Sequence, residues 1–351
     1  MPTLYDMITS EYFKADEDFV EASVKTTESS ASTPMEVVIK ANQLNVNNLK
    51  EYKGETNKQF EFRPQTWEQF IGQSEAKARA KTIIKKIKRG LKAHFLVDGI
   101  KGHGKTSYVE LLAKDIDADI IKTIGKQVNA DNLVTYLNQI HDSKKENVIF
   151  FIDEIDTMDK DVVKMLNPII ESFEISGKKL RPFIFAGATI NKHKLLKDTP
   201  DTLDRIPIHI KFKRYNTDNI KDILNQYIDQ LYKDENISPE DIEIIAQNCK
   251  FNPRTAIGLL EEQVVENNIY DVLNNCNIVK DGLNEVDIKI LKVLKASTRA
   301  IGANALSMKV GIGQEEYIRE FEPYLLERGL INRVPSRIIT DEGREFLNGL
   351  N

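Results

Sequence analysis

The chain has 351 residues, of which 41% are hydrophobic and 29% charged. That is the profile of a globular protein long enough for two or three domains with real cores. Its net charge of −5 does not advertise a nucleic-acid binder, so any such contact must come from local patches. Only Cys249 and Cys276 are present, without metal-ligand spacing. This argues against zinc or a disulfide framework and predicts two buried fillers in a reducing compartment. No apolar run is long enough to span a bilayer, and the start Met-Pro-Thr-Leu-Tyr-Asp lacks an export signal. A cytoplasmic protein without membrane contact is expected.

Residues 1–60 read as a partly disordered acidic extension, with Ala15-Asp-Glu-Asp18 and Thr26 to Pro34 polar, acidic or small. Within it Leu4, Ile8, Tyr12 and Phe13 share one face of a short helix, read either as a docking peptide or as a fraying terminus. Met35 to Lys40 suits a short strand. The folded body starts at Phe62-Arg63-Pro64 and continues through Trp67, Phe70 and the turn Ile71-Gly72-Gln73. From Glu75 to Lys92 the spacing predicts a helix with an Ala78, Ile83, Ile84, Ile87 stripe and eight basic residues. Such a face is ordinarily solvated; nucleic-acid contact is the alternative.

His94 to Val97 is an apolar strand that runs into Gly99-x-x-x-x-Gly104-Lys105-Thr106, followed by a helix with Tyr108, Leu111, Leu112 and Ile116 at helical spacing. This is the pattern of a phosphate-binding loop. Gly99, Gly102 and Gly104 let the backbone turn its N–H groups toward an anion at a helix start. Amides 101–106 would surround the β-phosphate and the site would extend to Ser107, with Lys105 on the β- and γ-phosphates and the Thr106 hydroxyl on Mg²⁺.

Further along, strands and helices alternate: strand 120–124, helix 133–140, strand 148–152, helix 162–173, strand 183–189 and a closing strand 206–212. That alternation predicts an α/β domain wound around a parallel sheet. Val148-Ile-Phe-Phe-Ile152 delivers Asp153 and Glu154 to the carboxyl end of a buried strand, where ligands sit in open parallel sheets. Strand alternation would send the neighbours apart, Asp153 toward the Thr106-bound Mg²⁺ and Glu154 toward the γ-phosphate to polarise water.

Residues 216–280 carry helical periodicity and no strand pattern, and read as a helical lid. From Asp281 a third unit begins: helices 285–294, 303–310 and 314–328, then a small hairpin around Pro335-Ser336. Three helices and a hairpin predict a winged helix. Arg328, Arg333 and Arg337 flank its wing turn, with Lys295, Arg299 and Lys309 nearby, a set suited to neutralising DNA phosphates without reading bases. Acids slightly outnumber bases in this unit, so a protein-contact role is the alternative.

Taken together, Phe62-Arg-Pro-Gln-Thr-Trp-Glu-Gln-Phe-Ile-Gly-Gln73, Ile152-Asp-Glu-Ile155, Gly187-Ala-Thr189 and Glu322-Pro-Tyr-Leu-Leu-Glu-Arg-Gly-Leu330 resemble the AAA+ ATPases, and within them the RuvB Holliday-junction branch-migration motors. The resemblance covers about residue 62 to the end. It implies an AAA+ ATPase domain at 61–215, a lid at 216–280 and a DNA-binding winged helix at 281–351. It also implies that Arg63, Pro64, Ile71 and Gly72 wall the adenine, and that Thr189 senses the γ-phosphate, with Asn191 as a second candidate. Arg205 would be the arginine inserted by a neighbouring subunit, and Arg254 the lid arginine. An arginine fork supplies paired donors to charge developing on the phosphate.

The resemblance therefore implies a homo-oligomer in the form of a hexameric ring: an ATPase that uses ATP and Mg²⁺ to pull branched or duplex DNA in recombination and repair. Two departures stand out. The hairpin Phe173 to Phe183 is shorter than the one RuvB uses to hold RuvA, and Thr202-Leu-Asp-Arg205-Ile206 keeps one arginine of the family's two. Both argue against a conventional RuvA partnership. Two other readings share the ATP parts: a clamp or helicase loader, and a protein remodeller that ignores DNA.

Overall fold

A computed structural model of the chain describes residues 61–350. The expected acidic extension, its short helix at Leu4, Ile8, Tyr12 and Phe13, and the strand 35–40 lie outside the described residues. Short unbroken apolar runs become strands: β1 Phe95–Asp98, β2 Ala118–Ile124, β3 Asn147–Asp153, then the two-residue pair β4 Glu174–Ile175 and β5 Lys178–Lys179, then β6 Ile184–Thr189 and β7 Ile208–Lys211. Between them lie α1 Ser74–Ile87, α2 Lys105–Asp115, α3 Ala130–Asp142, α4 Lys160–Ser172, α5 Lys192–Asp198 and α6 Pro200–Asp204.

The main sheet has the order β2-β3-β6-β1-β7, and every pairing is parallel. Alternation along the strands splits the core into two layers. Phe95, Val97, Ile149, Phe151, Ala186, Ala188 and Ile210 face α1 and α2, while Leu96, Val148, Phe150, Ile152 and Phe185 face α3 and α4. His94 ties these layers at the strand starts: its Nδ1 accepts from the Phe185 amide at 3.0 Å and its Nε2 donates to the Ile170 carbonyl at 3.0 Å.

Helix α1 stops at Ile87, five residues before the expected end at Lys92. Gly90 adopts φ 68°, and the Leu91 amide reaches back to the Lys86 carbonyl, closing the helix with a glycine cap. Ala76, Ala80 and Ile83 are buried, whereas Arg79, Lys81, Lys85 and Arg89 are exposed, the solvated face that periodicity implies.

The lid comprises α7 Thr217–Leu231, α8 Pro239–Asn248, α9 Pro253–Glu266 and α10 Ile269–Asn275 around Ile220, Leu224, Ile245, Leu259, Leu260 and Val272. Cys249 is buried in this core, but Cys276 is exposed at the end of α10, so only one of the two cysteines is the expected filler. The expectation of no strand before residue 280 also fails. Strand β8 Ile278–Lys280 pairs with β9 Leu283–Asn284 around Asp281-Gly282. Both turn residues have positive φ, the two-residue hairpin geometry that an Asp-Gly pair favours.

The last unit contains α11 Glu285–Ala296, α12 Ala303–Val310, α13 Gln314–Glu316, a π turn Tyr317–Phe321, α14 Glu322–Glu327, the wing strands β10 Ile331–Arg333 and β11 Arg337–Ile339, and α15 Asp341–Asn348. Pro323 lacks an amide hydrogen, and the turn before it widens from α to π. Helix α15 adds to the three expected helices; Thr340 caps it by accepting the Gly343 amide at 3.0 Å.

Burial holds the His94 imidazole down to about 4 against an ordinary 6.5, with the Ile170 carbonyl opposing the shift. The folded value lies below the unfolded one. This contribution is therefore complete above pH 6.5 and is lost as pH falls from there toward 4. Urea unfolding should lose up to about 3 kcal/mol across that window through this group alone. His94→Gln should flatten the profile by that share, and identical pH slopes in variant and parent would remove His94 from the account.

Candidate functional site

The loop Gly99 to Gly104 joins the end of β1 to the start of α2. A Cβ on Gly99 would lie 2.6 Å from the Phe212 Cβ, and Gly102 and Gly104 adopt φ 83° and 86°. Only glycine fits all three demands cheaply. The resulting turn aims successive amides at the helix start, a concave anion cradle. Lys105 is nearly buried, and its Nζ donates to the carbonyls of Gly99 at 2.7 Å and Ile100 at 3.0 Å. Desolvation lowers its pKa, opposed by Asp153, Asp98, Asp156 and Glu154. Four carboxylates thus face one ammonium.

Asp153 sits at the last position of β3. Its Oδ2 accepts from the Thr106 hydroxyl at 3.4 Å and its Oδ1 from the Glu154 amide at 2.9 Å. Glu154 lies beyond the strand, with φ 49° and ψ 44°. Glu154 therefore follows Asp153 through a left-handed turn rather than as the next residue of the strand. A non-glycine residue held there marks a strained position that its surroundings must enforce. The Glu154 carbonyl accepts both the Thr157 amide at 2.8 Å and the Thr157 hydroxyl at 2.7 Å. Gly125 allows this turn, since a Cβ there would stand 2.3 Å from that carbonyl oxygen.

Thr189 departs from the expectation that it faces Asp153, Glu154 and a phosphate. It is fully buried at the end of β6, and its hydroxyl donates to Asp156 Oδ1 at 2.6 Å while accepting the Asn191 amide. A buried carboxylate draws the nearest proton donor, so Thr189 turns inward to Asp156. Asp156 Oδ2 has no hydrogen-bond partner. Asn191 caps α5 through the Lys194 amide.

The segment 62–73 runs between the loop and the lid. The Phe62 amide donates to the Tyr227 hydroxyl at 3.2 Å, and the two rings meet edge to face. Gln73 exchanges two hydrogen bonds with the Lys213 backbone, at 2.6 and 3.0 Å. A Cβ on Gly72 would meet Tyr215 Cε1 at 3.0 Å. Pro64 and Ile71 are half-buried, while the exposed Arg63 pairs with Glu110 at 3.1 Å and Glu61 at 3.2 Å.

The lid side meets the loop through Asn252 and Tyr215. Asn252 Nδ2 donates to the Lys101 carbonyl at 3.0 Å, and its Oδ1 caps the Arg254 amide at 3.0 Å. A Cβ on Gly102 would collide with Asn252 Oδ1 at 2.5 Å and the Arg254 Cβ at 2.9 Å. The Tyr215 hydroxyl donates to the His103 carbonyl at 3.2 Å, and its ring lies 5.5 Å from the His103 ring.

Gly99 to Ser107, Asp153, Glu154 and Arg254 thus gather around one cradle, while Gly72 packs on Tyr215, whose hydroxyl reaches the His103 carbonyl. Arg205 does not join them: its Nε pairs with Glu171 at 2.8 Å and its Nη1 donates to the Asp201 carbonyl. Asp98, Asp156, His103, Tyr215 and Asn252 were not singled out from sequence. For Asp98 a signal existed, an acid ending the apolar run Phe95-Leu-Val, the same signal that marks Asp153.

Two of the three arginines expected to touch DNA are corrected. Arg337 is buried and forks onto the buried Glu322, with Nε and Nη2 on its two oxygens. A buried carboxylate needs that cation, so Arg337 is structural. Arg328 is committed to Asp281 at 3.0 Å and to the Tyr324 hydroxyl at 3.3 Å. Arg333 is 55% exposed in its side chain and touches Glu322 only at 3.4 Å, which leaves it on the wing surface. Among the described residues no helix is long and apolar enough to cross a membrane.

Residues 62–196 match the Holliday junction DNA helicase RuvB P-loop domain, and 280–348 match the RuvB C-terminal winged helix domain. The Holliday junction branch migration complex subunit RuvB of Ureaplasma urealyticum is 30% identical over 311 residues, covering 82% of this chain and 96% of that protein. The Mycoplasma genitalium subunit is 28% identical over 305 residues, covering 81% and 97%. A solved structure, the Thermotoga maritima RuvB Holliday junction branch migration motor, superposes with a TM-score of 0.70 at 28% identity, covering 82% of this chain and 98% of that one. With a nucleotide-binding loop, a lid seated on it and a winged helix behind, matched along nearly the whole length of those relatives, the chain belongs to the RuvB family.

Proposed function

We propose that this chain is an ATP-driven motor that moves Holliday-junction or duplex DNA, acting as a ring of identical subunits, with six the expected number. The observation that carries the reading is the seat of Asn252 and Arg254 over Gly102, because it makes lid position depend on what the phosphate-binding turn holds. The proposed division of labour is an ATPase domain at 61–215, a lid at 216–280 and a winged helix at 281–351. The last boundary runs through the β8–β9 turn.

In this proposal the amides of the loop to Ser107 bind the β-phosphate, and Lys105 leaves the Gly99 and Ile100 carbonyls for the β- and γ-phosphates. Pro64, Ile71 and Gly72 wall the adenine, with Arg63 behind them through its tie to Glu110 on α2. Glu154 accepts a proton from water as that water attacks the γ-phosphorus; the bond to the β-bridging oxygen breaks and ADP leaves. Arg254 binds the γ-phosphate from the lid. Arg205 of a neighbour releases Glu171 and neutralises charge developing on the phosphoryl oxygens. Thr189 acts on the site through Asp156.

Thr106 and Asp153 are the residues that would hold Mg²⁺. Their oxygens lie 3.4 Å apart, and no group of three or more His, Cys, Asp or Glu side chains suited to a metal occurs among the described residues. Such an ion would draw its remaining ligands from phosphate and water, the usual habit of this cation. The ion would neutralise phosphate charge during the transfer.

For DNA, the surface left after the correction is Arg333 at the wing with Lys295, Arg299 and Lys309, all exposed. A second reading, protein contact by the winged helix, is favoured by one observation: α13 and the π turn expose Glu315, Glu316 and Glu320. The β4–β5 hairpin has only two residues per strand, which supports a partner held differently from RuvA.

Glu154→Gln should keep ATP binding and lose about a hundredfold or more of phosphate release; equal release in both proteins removes Glu154 from its role. Mixing Arg205→Ala with Lys105→Ala subunits should restore part of the activity if sites are shared, and no rescue at any ratio denies the shared site. Gly102→Ala should weaken nucleotide binding roughly tenfold by calorimetry, since the left-handed φ and the displaced lid add strain of about 1–3 kcal/mol. Unchanged affinity would refute the seat. Strand exchange on a synthetic four-way junction should require ATP hydrolysis; an active ATPase that leaves junctions unmoved overturns the motor.

A further inference from the structure

Two contacts from the lid side reach the nucleotide loop, and each lies beside a contact to the winged helix. Asn252 bonds the Lys101 carbonyl, and two residues earlier Lys250 Nζ donates to Asp287 Oδ2 at 2.6 Å. Tyr215 bonds the His103 carbonyl, and its neighbour Arg214 forms an ion pair with Glu327 of α14 and donates to the Lys250 carbonyl at 3.2 Å. The two branches meet at Tyr324. Arg214, Lys250 and Arg328 lie over its ring at 5.7, 5.5 and 5.9 Å, and the Phe251 ring stands 6.3 Å away. The β8–β9 turn closes the joint. The Tyr324 hydroxyl donates to the Asp281 carbonyl at 2.9 Å, and the Gly282 amide donates to Asn248 Oδ1 at 3.1 Å.

Lys250 and Phe251 both have φ 54°, two consecutive non-glycine residues in the left-handed region. Such a conformation persists only when surrounding contacts over-determine it. Asp287 is fully buried and its Oδ1 has no partner, so Lys250 is the cation that offsets its charge. A buried ion pair is a poor source of stability compared with apolar packing, and fixing one geometry is its better-attested use.

We propose that Lys250-Phe251-Asn252 is a strained transmission joint, in which Lys250 is a positioning residue that ties winged-helix orientation to the state of the nucleotide loop. One turn of chain holds Lys101 at one end and Asp287 at the other, so neither contact moves without the other. When phosphates displace the loop backbone, Asn252 follows and Lys250 carries α11 with it. Arg214 makes the parallel link from Tyr215 to α14. The inference rests on the ATP-driven, DNA-moving reading above and names the residues through which its two ends communicate.

Binding linkage tests it, because coupling between two ligands is reciprocal. The affinity of the full-length chain for a fluorescent ADP analogue is measured alone and with saturating duplex DNA, for the parent and for Lys250→Met/Asp287→Asn. Asparagine keeps the acceptor that caps the Asn284 amide, and no buried charge is left unpaired. The parent should show a DNA-dependent change of about fivefold or more. The double variant should keep its DNA-free affinity, basal phosphate release and melting temperature, while the DNA effect collapses toward none. A variant that keeps the full DNA effect overturns the joint. A parent with no DNA effect overturns the motor reading instead, and the inference with it. Should the first variant melt early, Arg214→Gln/Glu327→Gln at the more exposed pair must give the same loss of coupling, and full coupling there also counts against the joint.

Discussion

The lid rests on the phosphate-binding turn at a single residue without a side chain. Gly102, at φ 83°, leaves room for the Asn252 side chain and the Arg254 Cβ where any Cβ would overlap them. Three consequences follow. The amides of the turn converge on the helix start, the first turn of α9 is pinned to the Lys101 carbonyl, and the neighbouring Lys250 bonds Asp287 of the winged helix. Local backbone freedom at one position thus sets the relation between nucleotide loop, lid and winged helix.

Charge in the site is arranged around Lys105. Its ammonium is nearly buried among loop carbonyls and is opposed by Asp98, Asp153, Asp156 and Glu154, so a polyanionic ligand with a divalent cation fits the surplus of acid better than an anion alone. The parallel sheet produces this crowding because β1, β3 and β6 are adjacent and all end on the same edge. Asp98 and Asp153 are end-of-strand residues, and Thr189 ends the strand between theirs. The edge gathers what the chain scatters.

The winged helix turns part of its positive charge inward. Glu322 is buried beneath Arg337 and Arg333, and Tyr324 is surrounded by Arg214, Lys250 and Arg328. Positive charge counted along this unit therefore overstates what reaches its surface. Exposed cations remain at Lys292, Lys295, Arg299, Lys309, Arg319 and Arg333, while Glu315, Glu316 and Glu320 are exposed beside them. This division suits backbone contact better than base reading.

Much of the fold was legible because its determinants are local. Unbroken apolar runs such as Val148 to Ile152 gave strands, 3.6-residue spacing gave helices, and Gly99, Gly102 and Gly104 before Lys105 marked the anion cradle. The Asp281-Gly282 hairpin and the Thr340 cap of α15 have local determinants too. What the amino-acid order alone determined, then, was the set of elements and the loop chemistry, each decided within a few residues. Only the tertiary structure decided which polar groups are spent on each other: Thr189 on Asp156, Arg337 on Glu322, Arg328 on Asp281, and Lys250 on Asp287. Those partners are 15 to 47 positions apart, and a buried charge takes whichever opposite group packing brings within reach, which no local pattern encodes.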